Sequence, residues 1–240
     1  MGDVAGVQQV QTTAPSSTQS STSPVRAHRQ ATPLAQALAA AGDRWTLLIV
    51  LACSDDTIRL NTLRSRLPGV SSAVLDHHVR QMVALGLLSR RRFREMPPRV
   101  ELSLTESGAA LLPIAAALAR WGMRYRWDEQ HGCEHIDPDA VLCQLPALLD
   151  EAKLPKGVLE AIIDAYDEEE EPVVHRFETV DGRLQPVAGA PAVDGPKASA
   201  RIQGDRAAWE AALGPRRDYA GLHLLGRKQL ARQVFDALPR

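Results

Sequence analysis

The sequence predicts an α+β protein made of two unlike halves. Apolar residues recur at helical spacing from Pro33 to about Leu85. Two alternating basic segments, 87–93 and 99–104, then flank the turn Arg94-Glu95-Met96-Pro97-Pro98. A second strand-rich region opens at Pro172, where Asp181-Gly182 is a hairpin signal between 173–180 and 183–187.

Each element follows from local chemistry. Residues 1–30 are polar, with a Ser/Thr/Gln-rich stretch over 12–23, and cannot bury enough apolar area to offset their ordering entropy. They read as a disordered tail. The next domain, 31–127, starts with Pro33 in a first helical turn, followed by Leu34, Ala37, Leu38 and Ala41. Gly42-Asp43 breaks this helix, and Asp43 caps a second one over 45–53, apolar nearly all round and therefore buried. After a polar turn, Leu60, Leu63 and Leu67 mark a short third helix, stopped by Pro68-Gly69. Ser71 or Ser72 caps a fourth, which runs to about Leu85 and is closed by Gly86. The two basic strands follow, and Thr105-Glu106-Ser107-Gly108 starts a long helix carrying Leu111, Leu112, Ile114, Ala115, Leu118 and Trp121. Two short helices joined by Pro-Gly and followed by a basic hairpin make a winged helix-turn-helix.

Net charge is −1, which says nothing of partners, but its distribution does. Residues 1–127 carry 15 Lys/Arg against 8 Asp/Glu, residues 128–200 carry 5 against 17, and residues 201–240 carry 8 against 4. Between 57 and 99 stand Arg59, Arg64, Arg66, Arg80, Arg90, Arg91, Arg92, Arg94 and Arg99, opposed only by Asp76 and Glu95. The planar guanidinium suits bidentate contacts to phosphate and guanine, so this stretch is expected to lie on double-stranded DNA. On the fourth helix Leu75, Val79 and Met82 face the core. Ser72, Ala73, Asp76, His77 and Arg80 then lie nearest the base edges, with Gln81 beside them and His78 pointing sideways toward a phosphate. Arg59, Asn61, Arg64 and Ser71, and Arg90, Arg94 and Arg99 of the hairpin, complete the DNA-contact set. Cysteine is scarce (Cys53, Cys133, Cys143) and no charged-then-apolar leader opens the chain, so a cytoplasmic protein without a membrane partner is expected.

Residues 32–122 resemble the HxlR-type winged-helix regulators, relatives of the MarR group. The resemblance is carried by Pro33-Leu34 and Gly42-Asp43-Arg44-Trp45-Thr46-Leu47-Leu48-Ile49. It continues in Leu67-Pro68-Gly69-Val70-Ser71, in Leu75 with Arg80 and Gly86-Leu87, and in Pro97-Pro98-Arg99-Val100-Glu101-Leu102-Ser103-Leu104-Thr105. It implies a homodimer formed by the first and last helices of the domain, through Leu34, Leu38, Leu111, Leu118 and Trp121. It also implies two recognition helices roughly 34 Å apart on a near-palindromic site. Many members carry Cys just before the opening proline; here Thr32 stands there, which excludes a thiol switch at that position. Ala73 and His78 stand where Arg or Lys is common, so base preference does not transfer.

Residues 128–171 read as an acidic helical linker, with short helices over 141–149 and 158–165 and a solvated charge run over 167–171. Residues 172–240 read as an α/β domain. Its strands are 173–180, 183–187, 198–202 and 221–225, with helices over 206–213, containing Trp209, and 227–238. The run Ala198-Ser199-Ala200-Arg201-Ile202, then Gly204-Asp205, Trp209 and Leu224-Leu225-Gly226, is similar to the sterol-carrier-protein type of lipid-binding fold. That likeness implies a pocket for an apolar small-molecule effector; a dimerisation module with a filled core stays the alternative.

His131, Cys133 and His135, with Cys143 eight residues later, offer metal-binding side chains, but their spacing fits no standard zinc module. Cys143 shares an apolar helix face with Leu142 and Leu145, the usual setting of a buried thiol, so no metal or cofactor is assigned. Nucleophile motifs, phosphate loops and dinucleotide fingerprints are absent, and the chain does not read as an enzyme. The expected function is a ligand-responsive transcriptional regulator that binds a near-palindromic duplex as a homodimer. The alternative is a carrier of an apolar small molecule whose winged helix serves mainly dimerisation.

Overall fold

The computed structural model describes residues 32–54, 57–67, 69–93, 99–128, 130, 136–149, 153–166, 170–187 and 197–239. The N-terminal half runs α1 (Pro33–Ala41), α2 (Arg44–Ala52), β1 (Ile58–Arg59), α3 (Leu60–Arg66), α4 (Ser72–Ala84), β2 (Leu88–Phe93), β3 (Arg99–Leu104), α5 (Glu106–Ala109) and α6 (Leu112–Tyr125). The C-terminal half runs α7 (Pro138–Leu148), β4 (Val158–Ile163), β5 (Val173–Val180), β6 (Arg183–Pro186), β7 (Ala200–Gly204), α8 (Arg206–Leu213), β8 (His223–Gly226) and α9 (Lys228–Asp236). No single helix among the described residues is long and apolar enough to cross a membrane.

In the N-terminal half the strands form one antiparallel sheet in the order β1-β3-β2. Ile58, Leu88 and Leu102 bury one side of it against Ile49, Val50, Leu63, Leu75, Val79 and Met82 from α2, α3 and α4. The joint between α4 and the hairpin is closed by a cluster of backbone and hydroxyl contacts. Gly86 sits at φ +70°, a left-handed conformation that suits glycine at a helix end. The Thr105 hydroxyl donates to the Gly86 carbonyl at 2.5 Å and accepts from the Gly108 amide at 3.1 Å, capping α5. The Thr105 amide donates to the Leu87 carbonyl at 3.1 Å. Gly108 passes so near this loop that a Cβ there would lie 2.0 Å from the Leu87 carbonyl oxygen.

The long helix expected from Thr105 is instead two, α5 and α6, broken at Ala110-Leu111. Pro113 accounts for the restart: it lacks an amide hydrogen, so it is tolerated only in the first turn of a helix. α6 then serves both halves. Leu111 and Leu112 pack on the N-terminal core, while Ala119 and Met123 pack on the C-terminal one.

The C-terminal sheet has the order β6-β5-β4-β7-β8, antiparallel except where β4 and β7 run parallel. Its central strand corrects the sequence reading. Of residues 158–165, expected as an amphipathic helix in a linker, Val158–Ile163 form β4, and α7 and β4 both belong to the core of this half. The run Val158-Leu159-Glu160-Ala161-Ile162-Ile163 is buried on both faces, which erases the alternation that marks a half-buried strand. One face carries Leu159, Ala161 and Ile163 into the core with Leu142, Trp209 and Leu230. On the other, Glu160 is 6% exposed and accepts from Arg176 Nη1 at 2.9 Å and Arg201 Nε at 2.7 Å, two cations that offset the cost of desolvating its carboxylate. The hairpin expected at Asp181-Gly182 is present as β5–β6, and Trp209 lies on the expected helix, donating Nε1 to the Ile162 carbonyl at 2.8 Å. Trp209, Leu159, Ile202 and Leu213 fill the middle of this half, each at most 1% exposed.

Replacing Gly108 with Ala should destabilise the chain by about 1–3 kcal/mol, because the new methyl must displace backbone. Gly122→Ala, mid-helix in α6 with no atom within 4 Å of the added carbon, should be neutral or stabilise by up to about 1 kcal/mol. Urea unfolding of both variants checks the contrast; equal effects would refute the close approach at Gly108.

Candidate nucleic-acid interface

α3 and α4 form the helix pair, and the sequence explains which side of α4 is outward. Leu75, Val79 and Met82 are buried at helical spacing, so the opposite side is left in solvent. Ser72, Ala73, His77, Arg80 and Gln81 are exposed there, joined by Val74, which the sequence reading did not single out. Ser71 accepts the Val74 amide at 3.3 Å and caps the helix, the structural role its position predicts. Arg80 Nε donates to the Asp76 carbonyl one turn back at 3.1 Å.

The eight of these nine arginines that lie among the described residues do not form one continuous face. Arg64 ties α3 to α4 through Asp76 at 3.2 Å, so Asp76 is engaged with a cation rather than presented alone. Both side chains of that pair are more than a third exposed, so the pair contributes little to stability. Asn61, exposed on α3, lies 3.5 Å from Arg64 Nη1. Arg66 turns inward, donating Nη1 to the Ala52 carbonyl at the C-terminal end of α2. Strand register sorts the rest. Arg59 of β1 and Arg91 of β2 both pair with Glu101 of β3, and so share a sheet face with Arg99 and Phe93. Arg99 lies 3.3 Å from Glu101 and stacks over the Phe93 ring at 4.3 Å. Arg90 and Arg92 lie on the other face, paired with Leu102 and Val100. Arg90 is half-buried there, whereas Arg91 and Arg92 are exposed, a distinction that alternation alone does not give. Arg94, at the expected wing tip, lies outside the described residues, as do His131, Cys133, His135 and the 1–30 tail.

His78 corrects the sequence reading. It was expected to point sideways toward a phosphate, but its side chain is 15% exposed and its Nδ1 lies 3.5 Å from Asp43. The reason is the cap of α2. Asp43 Oδ1 accepts the amides of Trp45 at 2.8 Å and Thr46 at 2.9 Å, its Oδ2 accepts the Thr46 hydroxyl, and α4 passes close enough for His78 to join the cluster. Partial burial pushes the Asp43 carboxyl upward. The hydroxyl and amide of Thr46, the Trp45 amide and the His78 ring outweigh it and hold the carboxyl below its ordinary value.

The N-terminal half is similar to known proteins. Residues 40–130 match the model of the HxlR-like helix-turn-helix family. An uncharacterized HTH-type transcriptional regulator of Methanothermobacter thermautotrophicus is 32% identical over 93 residues, 39% of this chain and 71% of that protein. A second, of Halalkalibacterium halodurans, is 32% identical over 96 residues, 40% of this chain and 85% of that protein. A crystal structure of a MarR-family protein from Porphyromonas gingivalis W83 aligns with 32% identity and a TM-score of 0.39, covering 40% of this chain and 94% of that one.

The chain belongs to the HxlR-like helix-turn-helix family of transcriptional regulators.

The HxlR-like half also leaves an apolar face outward. On α1, Leu34 and Leu38 are 68% and 58% exposed, and α1 buries none of its residues. On α6, Leu118 and Trp121 are both 52% exposed, and Ile114 and Tyr125 extend the same stripe. Leu111, grouped with these from the sequence, departs from them: it precedes the first turn of α6 and packs on the N-terminal core.

Asp43→Ala should cost about 1 kcal/mol near neutral pH, the usual loss for a helix cap. A carboxyl whose folded-state pKa is lowered stabilises fully above its unfolded value, and the gain is lost as pH falls through the folded one. The cost should therefore shrink as pH is lowered from neutral into the range where the carboxyl takes up its proton, followed by paired urea titrations; a cost that stays constant to the acid end would contradict the lowered pKa.

Proposed function

We propose that this HxlR-like regulator binds a near-palindromic DNA duplex as a homodimer, placing α4 of each subunit in successive major grooves roughly 34 Å apart. The observation that carries the reading is α4 itself: one side is locked in the core, while Ser72, Ala73, His77, Arg80 and Gln81 stand exposed on the other. In this reading His77, Arg80 and Gln81 reach base edges, and Ser71, Ser72, Asn61 and Arg64 border the phosphates. Arg91 and Arg99, with Arg94, supply the hairpin's contacts to backbone or minor groove, joined by Arg59 of β1 on the same sheet face. Counter-ion release from such phosphate contacts makes the affinity steeply salt-dependent. The dimer reading is supported by the exposed stripe of Leu34, Leu38, Leu118 and Trp121, extended by Ile114 and Tyr125. An apolar face of this kind is costly in water and suits a self-complementary interface.

Regulation by a small apolar effector has a different support. A cleft of about 860 Å³ lies between the two halves, bordered by Leu51, Leu112, Ala116, Pro146, Arg183 and Leu184, among others. A ligand seated there changes DNA affinity if it favours one setting of α6 over another, since α6 walls the cleft and carries the proposed dimer face. The same cleft is the observation that favours the carrier reading, in which ligand binding leaves DNA affinity unchanged.

Fluorescence anisotropy with duplex DNA from upstream of the chain's own coding sequence tests the proposal. Arg80→Ala should weaken specific binding by about tenfold or more and relax discrimination at one base position. Leu118→Glu should yield monomers in sedimentation and lose tight binding. Equal affinity for the native and a scrambled duplex at moderate salt would overturn the reading.

A further inference from the structure

We propose that Asp139, Cys143 and His175 form a binding site for a single zinc-class divalent cation, with an exchangeable fourth position open to the cleft between the two halves. Asp139 and Cys143 are four residues apart on α7, so helical geometry stacks them on one face. His175 comes from β5, on the sheet face that α7 covers, where it sits opposite Ala161 of the buried strand β4. One carboxylate oxygen, the sulfur and one imidazole nitrogen converge so that all three lie within 4.8 Å of one another.

The imidazole gives the independent sign. His175 Nε2 is buried and lies 2.6 Å from Asp139 Oδ1, yet the two do not meet in hydrogen-bonding geometry. The contact is an ion pair whenever the imidazole is protonated, and it brings a nitrogen and a carboxylate oxygen together at one point. A cation bonded to both at about 2.0–2.1 Å satisfies both lone pairs while the donors open to roughly 3.3 Å. The ring is already oriented, stacked on Phe177 with centroids 6.4 Å apart and planes 11° from parallel.

The donor set selects the metal. One nitrogen, one thiolate sulfur and one carboxylate oxygen suit a borderline ion of the zinc class and disfavour calcium or magnesium, which take oxygen ligands. Thiolate and carboxylate together balance the charge of a divalent ion. Three protein ligands are one short of a closed structural site, and Cys143 also borders the cleft, so the fourth position faces solvent or a small ligand there. The inference rests on α7 and β5 alone and stands whether or not the chain binds DNA. α7 packs against α2, α3 and α6, so a metal fixing it to β5 stiffens the junction of the two halves.

The full chain, stripped with chelator and titrated with cobalt(II) and then zinc, tests it. We expect one equivalent of cobalt with a thiolate-to-cobalt charge-transfer band that zinc displaces. Cys143→Ser should abolish the band, and His175→Gln should weaken binding by about 100-fold or more. A band that persists in Cys143→Ser, as it would if Cys53 or Cys133 supplied the sulfur, overturns the proposal, as does unchanged affinity in His175→Gln. Should either variant fail to fold, X-ray absorption of the zinc-loaded wild-type chain decides. One sulfur and three nitrogen or oxygen neighbours support the site; a shell without sulfur, or with two or more, overturns it.

Discussion

The placement of the hairpin against α4 depends on how closely two stretches of backbone approach each other around Leu87. Gly108 lets α5 lie against the Leu87 carbonyl, and Thr105 holds that approach from both ends, through the Gly86 carbonyl and the Gly108 amide. Glycine at 86 and 108 is a backbone requirement: the first needs positive φ, the second needs the space of a missing Cβ. With the joint closed, β2 and β3 leave α4 in a fixed direction, and the arginines of the hairpin keep a set position relative to His77, Arg80 and Gln81. The preorganisation of the proposed DNA surface is therefore decided at a place that carries no charge.

α6 extends that rigidity to the second half. Its first turn belongs to the N-terminal core, Ala119 and Met123 belong to the C-terminal one, and Leu118 and Trp121 face outward. Arg120 Nη1 also donates to the Ala147 carbonyl of α7 at 2.9 Å, and Trp127 Nε1 to the Leu213 carbonyl of α8 at 2.8 Å. One helix thus meets both cores and the exposed apolar stripe.

What the sequence made legible was whatever shows in local periodicity or turn chemistry. The buried row Leu75, Val79 and Met82, the caps at Asp43 and Ser71, the closing Gly86 and the Asp181-Gly182 hairpin all appear where their spacing places them. The errors lie where tertiary context overrides those signals. β4 is apolar on both faces, and its Glu160 mimics the polar side of a helix because the two arginines that neutralise it come from other strands. His78 reads as surface until Asp43, far away in sequence, comes to meet it. Alternation divides Arg90 and Arg92 from Arg91 but does not say which side meets the core; register with Leu102 does. The meeting of His175 with Asp139 and Cys143 left no trace in spacing, because the i, i+4 pair lies on a helix and the histidine on a strand separated from it by β4.

None of the nine residues of α1 is fully buried in its own chain, where only Ala35, Ala40 and Ala41 are half-buried; its local supports are the Thr32 cap and a proline in the first turn. An isolated helix shorter than about 12–15 residues is marginal in water. Whatever covers Leu34 and Leu38 therefore adds to the stability of this helix itself. If that cover is a second copy, the cellular abundance of the chain adds to how firmly its first helix is held.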